Sequence, residues 1–595
     1  MAFASAKRIE LFSGNLEDIV PEPVTVAQAT VHGPISPPLC DLHTVSKTGN
    51  LSGVKFLLSQ GRADINCREW TGRTPVMLAA GGRHREVVKL LVSKGANIKL
   101  VDRFGINILH SACLVGDVEV VKYVLSQNML DINSRVKCGR TAVMLAAGNG
   151  NKDLVQLFVD KGADVSLLDK TGDNILHCAC RGGGAEVLKY ILSKDMVDIN
   201  SLGHRKRTPV IVAAERGQKE VVELLVKHGA DLSLSERSGG NILHHVCQRG
   251  HYKLVKYVLS LNMVDIHSRW WMKRTPVMVA AKYGHKEVVK LLVNHGANLL
   301  QSDKRGDNIL HLVCFAGHSD IVKYILSLNS VNINSRGWKG RTPVMVAAER
   351  GHKEVVELLV NHGVNLSLCK RSGSNILHLA CCVGHFDVVK YVLSLNSVDI
   401  NSRGWKGRTP VMVGAKHGHK EVVKLLVNHG ANVLLSDKRG DNILHLVCFA
   451  GHSDVVKYIL SLNSVDIDSR GWKGRTPVMI AAEQGHKEVV ELLVNHGTDF
   501  SLSENVWNIL QNACYHGQLD LVKYVPSLNS VEIKSRGLKK RAPVMIAAEL
   551  GLKEVVELLE RNVANLSLTD EDGKNIVDLA SKRGHLEVAQ YVMSL

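Results

Sequence analysis

From about residue 39 onward a thirty-three-residue pattern fills the chain in two alternating forms, which return together every sixty-seven residues. One form reads Thr342-Pro343-Val344-Met345-Val346-Ala347-Ala348, and its first residue recurs as Thr74, Thr141, Thr208, Thr275, Thr409 and Thr476. The other reads Asn308-Ile309-Leu310-His311 and recurs at Asn107, Asn174, Asn241, Asn375, Asn442, Asn508 and Asn575. A period of this length dictates a solenoid, because each unit is too small to bury its own apolar face and packs against its neighbours. The length of 595 residues therefore says little about domain count.

Residues 340–373 show why one unit folds. Thr342 is expected to cap a short helix through its hydroxyl, and Pro343 suits the first helical position, where its missing donor costs nothing. Gly351 ends that helix, since glycine accepts the left-handed conformation. In His352-Lys353-Glu354-Val355-Val356-Glu357-Leu358-Leu359-Val360-Asn361-His362-Gly363 the valine and leucine pairs make one apolar face of a second helix. Val364 to Gly373 then alternates and turns, as a hairpin-like finger would.

Helix, turn, helix and projecting finger, with a Thr-Pro start, resemble the ankyrin-repeat family and its Thr-Pro-Leu-His-x-Ala signature. The expected fold class is an all-α ankyrin-repeat solenoid of helix-turn-helix units with projecting β-hairpin-like fingers. The expected organisation is an irregular leader over 1–38 and an array of about 17 repeats over 39–595. The first form puts Met77, Met144, Met278 and Met345 where the family has histidine. The second keeps histidine and replaces Thr-Pro by Asn-Ile, asparagine being an equally good cap. The pattern degrades over 500–565: a residue is missing near Glu504-Asn505-Val506, Gln511 replaces histidine, Pro526 falls inside a second helix, and Val563 replaces a stop glycine. A kink or local fraying is expected there.

No apolar run approaches the roughly 18 residues of a membrane span. Residues 1–38 lack a signal core, so secretion is not expected. Thirteen cysteines at solenoid intervals, without a short-range framework, fit a reducing, cytoplasmic home, with the nucleus also open. The net charge of +17 favours acidic partners, yet amounts to about one excess cation per repeat.

Six His-x-x-Cys pairs occupy the second form: His110/Cys113, His177/Cys180, His244/Cys247, His311/Cys314, His378/Cys381 and His445/Cys448. Residues three apart share a helical face, so a metal pair or a Cys-His nucleophile is one reading. Packing is the stronger one. The cysteine stands at a small-residue position between repeats, and successive pairs lie about 20 Å apart, far beyond the reach of one zinc ion. With no phosphate loop, nucleophile elbow or paired carboxylates, no catalytic residue, metal or cofactor is expected.

Two residue sets exceed what the repeat requires. At the finger tips, Arg336-Gly337-Trp338-Lys339-Gly340-Arg341 recurs as Arg403, Trp405 and Lys406 and as Arg470, Trp472 and Lys473, with Trp271 and Trp70 in register. Exposed Trp with Arg is the composition of binding hot spots; the alternative lays each indole across the neighbouring finger. On the first helices Leu312, Phe315, Val346, Leu379, Val413, Leu446 and Phe449 form an apolar stripe, either a peptide groove or lateral packing between helices. Residues 305–363 and 439–497 are almost identical, so recurrence records duplication as readily as selection.

The family resemblance implies a non-enzymatic intracellular scaffold or adaptor for protein partners that are acidic or offer an extended or helical segment. Membrane-skeleton adaptors and regulatory subunits of phosphatases or ubiquitin ligases share such arrays. It further implies that hairpin asparagines within Leu-x5-Asp-x-Asn are hydroxylation substrates, here Asn133, Asn200 and Asn401. The alternative is polyanion binding, in which the Trp/Arg/Lys fingers grip nucleic acid or an acidic membrane surface.

Overall fold

The structure is a computed structural model and describes residues 42–61, 63–499, 509–525, 538–562 and 564–595. They form two compact units, one ending at Leu130 and one running from Asp131 to Leu595. Both are built of helix pairs, 34 α-helices among the described residues, which makes the fold all-α. Among the described residues the fingers carry only isolated antiparallel bridges at their bases, such as Arg135 with Thr141 and Ser302 with Asn308. None of these helices is long and apolar enough to cross a membrane.

In the unit chosen above, the first helix runs Pro343–Arg350 and ends at Gly351 with φ +80°, and the second runs Lys353–Asn361. Val344, Met345, Val346, Ala347 and Ala348 are all buried, as are Val355, Val356 and Leu359. The first helices stack on one another along each unit, and the small alanines permit that approach.

The threonine cap is a correction. The Thr342 hydroxyl is buried without a hydrogen-bond partner, as are those of Thr74, Thr141, Thr208, Thr275, Thr409 and Thr476. Only the Thr342 backbone caps, its carbonyl accepting from Val346 N at 3.1 Å. Its backbone is extended (φ −91°, ψ 162°), a conformation that suits a β-branched side chain, so threonine serves here by shape.

Asparagine behaves differently. Asn308 Oδ1 accepts from His311 N at 3.2 Å, and Asn308 N donates to His311 Nδ1 at 3.3 Å, a reciprocal capping box. With Nδ1 accepting, the ring proton sits on Nε2, which donates to Arg341 O in the next unit at 3.1 Å. The same bond ties His177 to Arg207, His378 to Arg408 and His445 to Arg475. A second histidine set binds carbonyls at the ends of preceding first helices: His318 Nε2 meets Lys282 O at 3.1 Å, and His385 Nε2 meets Glu349 O at 3.1 Å. Helix-end carbonyls lack partners of their own, so these rings both satisfy them and fix repeat to repeat.

Of the irregular stretch, Glu504-Asn505-Val506, Pro526 and Val563 lie outside the described residues, as does the 1–38 leader. Gln511 is described, buried within Ile509–Tyr515, and its Nε2 donates to Arg541 O at 3.0 Å. It thus reproduces the inter-repeat bond of the histidine it replaces.

Candidate interaction surface

Each Trp finger turns through a short 3-10 segment, Trp338–Gly340, Trp405–Gly407 or Trp472–Gly474. Lys339 and Gly340 both have positive φ, +56° and +74°. Glycine relieves the second position; in the finger of Trp271, Lys273 must adopt φ +59° there.

The turn folds a lysine over its own tryptophan. Lys339 Nζ lies 4.4 Å from the Trp338 ring centre, Lys406 Nζ 4.4 Å from Trp405, and Lys473 Nζ 4.4 Å from Trp472. Arg305 of the preceding finger stands 5.0 Å from Trp338, and Arg439 likewise 5.0 Å from Trp472. Such contacts stabilise by about 0.5–1 kcal/mol at exposed sites and hold the indoles in one orientation. Trp271 remains 63% exposed, Trp405 55% and Trp472 41%, while Trp338 is half-buried. Arg336 and Arg403 each donate through Nη1 to the next finger, at Cys369 O and Ser436 O, both 2.7 Å. Those two arginines are therefore partly structural. Arg470 is exposed.

The apolar stripe divides. Leu312, Val346, Leu379 and Leu446 are 3–5% exposed. Their surface is consumed by packing between stacked first helices, which corrects their placement in an open groove. Val413 is half-buried, and only Phe315 and Phe449 of this set are exposed.

Pairs that sequence reasoning missed involve Gln248, Phe315 and Cys382, which share one register with Phe449. Gln248 Nε2 donates to Tyr283 Oη at 3.1 Å. The Arg350 guanidinium lies 3.8 Å from the Phe315 ring centre. Cys382 Sγ and His417 Nε2 are 3.7 Å apart, with His417 Nδ1 donating to Val413 O at 2.9 Å. One signal could have revealed them: Tyr283, Arg350, His417 and Gln484 occupy one register in otherwise near-identical repeats. Divergence among recent copies marks positions that packing does not dictate.

The cysteines of the His-x-x-Cys pairs lie in the core. Cys113, Cys180, Cys247, Cys314, Cys381 and Cys448 are fully buried, and burial drives each thiol far above its ordinary pKa. No cluster of three or more potential metal-ligating residues occurs among the described residues. Burial lowers the pKa of His177, His311, His378 and His445, and takes His244 and His245 down to about 4. Neutral rings are what the capping box needs, since protonated Nδ1 could not accept.

The three hydroxylation candidates link fingers. Asn133 Oδ1 accepts from Asp164 N at 2.9 Å, Asn200 Oδ1 from Asp231 N at 2.8 Å, and Asn401 Oδ1 from Asn432 N at 2.8 Å.

Known proteins share this architecture. A family model described as Ankyrin repeats (3 copies) matches residues 42–136, 127–202, 196–269, 243–337, 328–404, 395–471, 460–536 and 510–595. Among curated relatives, Transient receptor potential cation channel subfamily A member 1 of Homo sapiens is 26% identical over 506 residues, covering 76% of this chain and 45% of that protein. E3 ubiquitin-protein ligase KEG of Arabidopsis thaliana is 24% identical over 421 residues, covering 66% of this chain and 24% of that protein. Nuclear factor NF-kappa-B p105 subunit of Gallus gallus is 30% identical over 205 residues, covering 33% of this chain and 21% of that protein. The chain thus spans less than half the length of each. With the repeat model matched from residue 42 to residue 595, on a fold of stacked helix pairs and fingers, the chain belongs to the ankyrin-repeat family.

Proposed function

We propose that this chain is a non-enzymatic, intracellular scaffold or adaptor that binds protein partners through its Trp fingers and the exposed edges of its first helices. The carrying observation is the set of exposed indoles, Trp271, Trp405 and Trp472, two of them held rigidly under their own lysines at 4.4 Å. Rigid aromatic and cationic side chains lose little entropy on binding, and these are the residue types that dominate hot spots. Phe315 and Phe449, with the half-buried Val413, extend that surface along the helix edges. A regulatory subunit of a phosphatase or ubiquitin ligase is one form this role takes. Affinity purification with the intact chain and with a Trp338→Ala, Trp405→Ala, Trp472→Ala variant tests it. Loss of the same partners supports the fingers, and unchanged capture refutes them as the binding site.

Polyanion binding is the second reading, favoured by the net charge of +17 and the lysines at the finger tips. Its affinity would fall steeply between low and moderate salt, whereas hydrophobic finger contacts would change little. Asn133, Asn200 and Asn401 are proposed as hydroxylation substrates, and intact mass of their peptides, with or without one added oxygen, decides.

A further inference from the structure

Every second finger joint repeats a single kind of ion pair. A finger-base arginine donates through Nε to an acid on the next finger: Arg73 to Asp102 at 3.4 Å, Arg140 to Asp169 at 3.2 Å, Arg207 to Glu236 at 2.7 Å, Arg274 to Asp303 at 3.2 Å, Arg408 to Asp437 at 3.0 Å and Arg541 to Asp570 at 3.4 Å. The acids are buried, so each cradle is shaped to hold a carboxylate away from water.

One joint inverts the charge. After Arg341 the acid's register is occupied by Lys370. Arg341 turns its Nη1 to Glu349 of its own repeat, and its buried Nε is left without a hydrogen-bond partner. The guanidinium also lies 4.7 Å from the Trp338 ring centre, so the joint adjoins an aromatic finger.

The surroundings are cationic. Lys370 and Lys416 are half-buried, neither forms an ion pair among the described residues, and both act electrostatically on the Cys382 thiol that meets His417. Burial holds the Lys370 ammonium below its usual pKa, with Arg341 and Lys339 adding repulsion; burial does the same to Lys416, with Arg408 and Lys406. The acids that act on these lysines are already committed, Glu349 to Arg341 and Asp437 to Arg408. A buried guanidinium donor without an acceptor, beside two half-buried cations, is an incomplete arrangement in a chain that completes it at the six joints above.

We propose that the Arg341/Lys370 joint is a carboxylate receptor. An acidic side chain on an extended segment of a protein partner supplies in trans the acid that sibling joints supply in cis, with the neighbouring Trp338 finger covering the segment beside it. The choice of carboxylate follows from the siblings, whose equivalent cradles hold Asp or Glu. This proposal rests on the scaffold reading and deepens it by naming one anchoring group of the partner.

The test uses the full chain and a fluorescein-labelled oligo-glutamate peptide, with oligo-glutamine as the neutral control, at physiological salt. Lys370→Asp restores the sibling arrangement, so the variant is expected to fold with an unchanged or raised thermal midpoint while its oligo-glutamate affinity falls about tenfold. Lys170→Asp makes the same charge change on a finger that keeps its acid, and is expected to stay within about twofold of the parent. Equal losses in both variants would mean diffuse attraction and overturn the receptor. So would an intact chain that does not prefer oligo-glutamate to oligo-glutamine. Because partner capture by the finger variant is read separately, either failure leaves the scaffold reading standing if that capture is lost.

Discussion

The two forms of repeat solve one backbone problem in different ways. In the Thr-Pro form a buried hydroxyl makes no bond, and the helix start is held by proline and by packing. In the Asn-Ile form Asn308 and His311 exchange two hydrogen bonds, and the ring reaches Arg341 O in the next repeat. Local shape sets the first kind of helix start, whereas the second adds a polar crosslink in the core. Alternation thus places the buried capping-box crosslink at every other joint, and a solenoid whose stability is a sum of neighbour terms is sensitive to which joint is damaged.

Acid should reveal the contrast most broadly. The folded pKa of His244 and His245 is about 4, below the 6.5 of an unperturbed histidine, and burial lowers His177, His311, His378 and His445 as well. The unfolded chain therefore binds more protons as pH falls. The stabilisation is complete above about pH 6.5 and is lost progressively toward pH 4, so the thermal midpoint should drop by on the order of 10 °C from about pH 7 to pH 5. A midpoint flat across that window would show that the rings are not held neutral.

His311→Ala should cost about 3 kcal/mol, because Asn308 N and Arg341 O lose their partner in a buried site. Hydrogen exchange across residues 308–345 would read it as local loss of protection. His311→Gln should recover part of that cost, as Gln511 already makes the equivalent bond to Arg541 O. Cys314→Ser, which places a hydroxyl at a buried thiol's position, should cost about 1–2 kcal/mol in denaturant titration. At the small end, Thr342→Val removes a hydroxyl that bonds nothing, and its effect should stay within about 0.5 kcal/mol, toward greater stability. A loss near that of His311→Ala would erase the distinction between the two forms.

Much of the fold was legible because periodic residues do one job at every copy. Gly351 ends its helix with φ +80°, Pro343 begins it, and Val355, Val356 and Leu359 are buried as their spacing requires. The surface was legible only in part. Trp271, Trp405 and Trp472 are exposed as finger residues, yet Leu312 and Phe315, three apart on one helix, differ in fate because a neighbouring helix covers only the first. The Gln248–Tyr283, Phe315–Arg350 and Cys382–His417 pairs lie thirty-five residues apart, a separation no local pattern exposes.

The sequence by itself determined the repeat length, the helix boundaries and the solenoid class, because glycine, proline and apolar spacing act within a few residues of where they stand. Only the tertiary structure decided which polar groups meet. It left the threonine hydroxyls without partners, gave the histidines their cross-repeat carbonyls, and left the Arg341 Nε–H without the acid its siblings have. Those outcomes depend on what a neighbouring repeat brings within about 3 Å, a distance set by stacking and not by any single repeat's sequence.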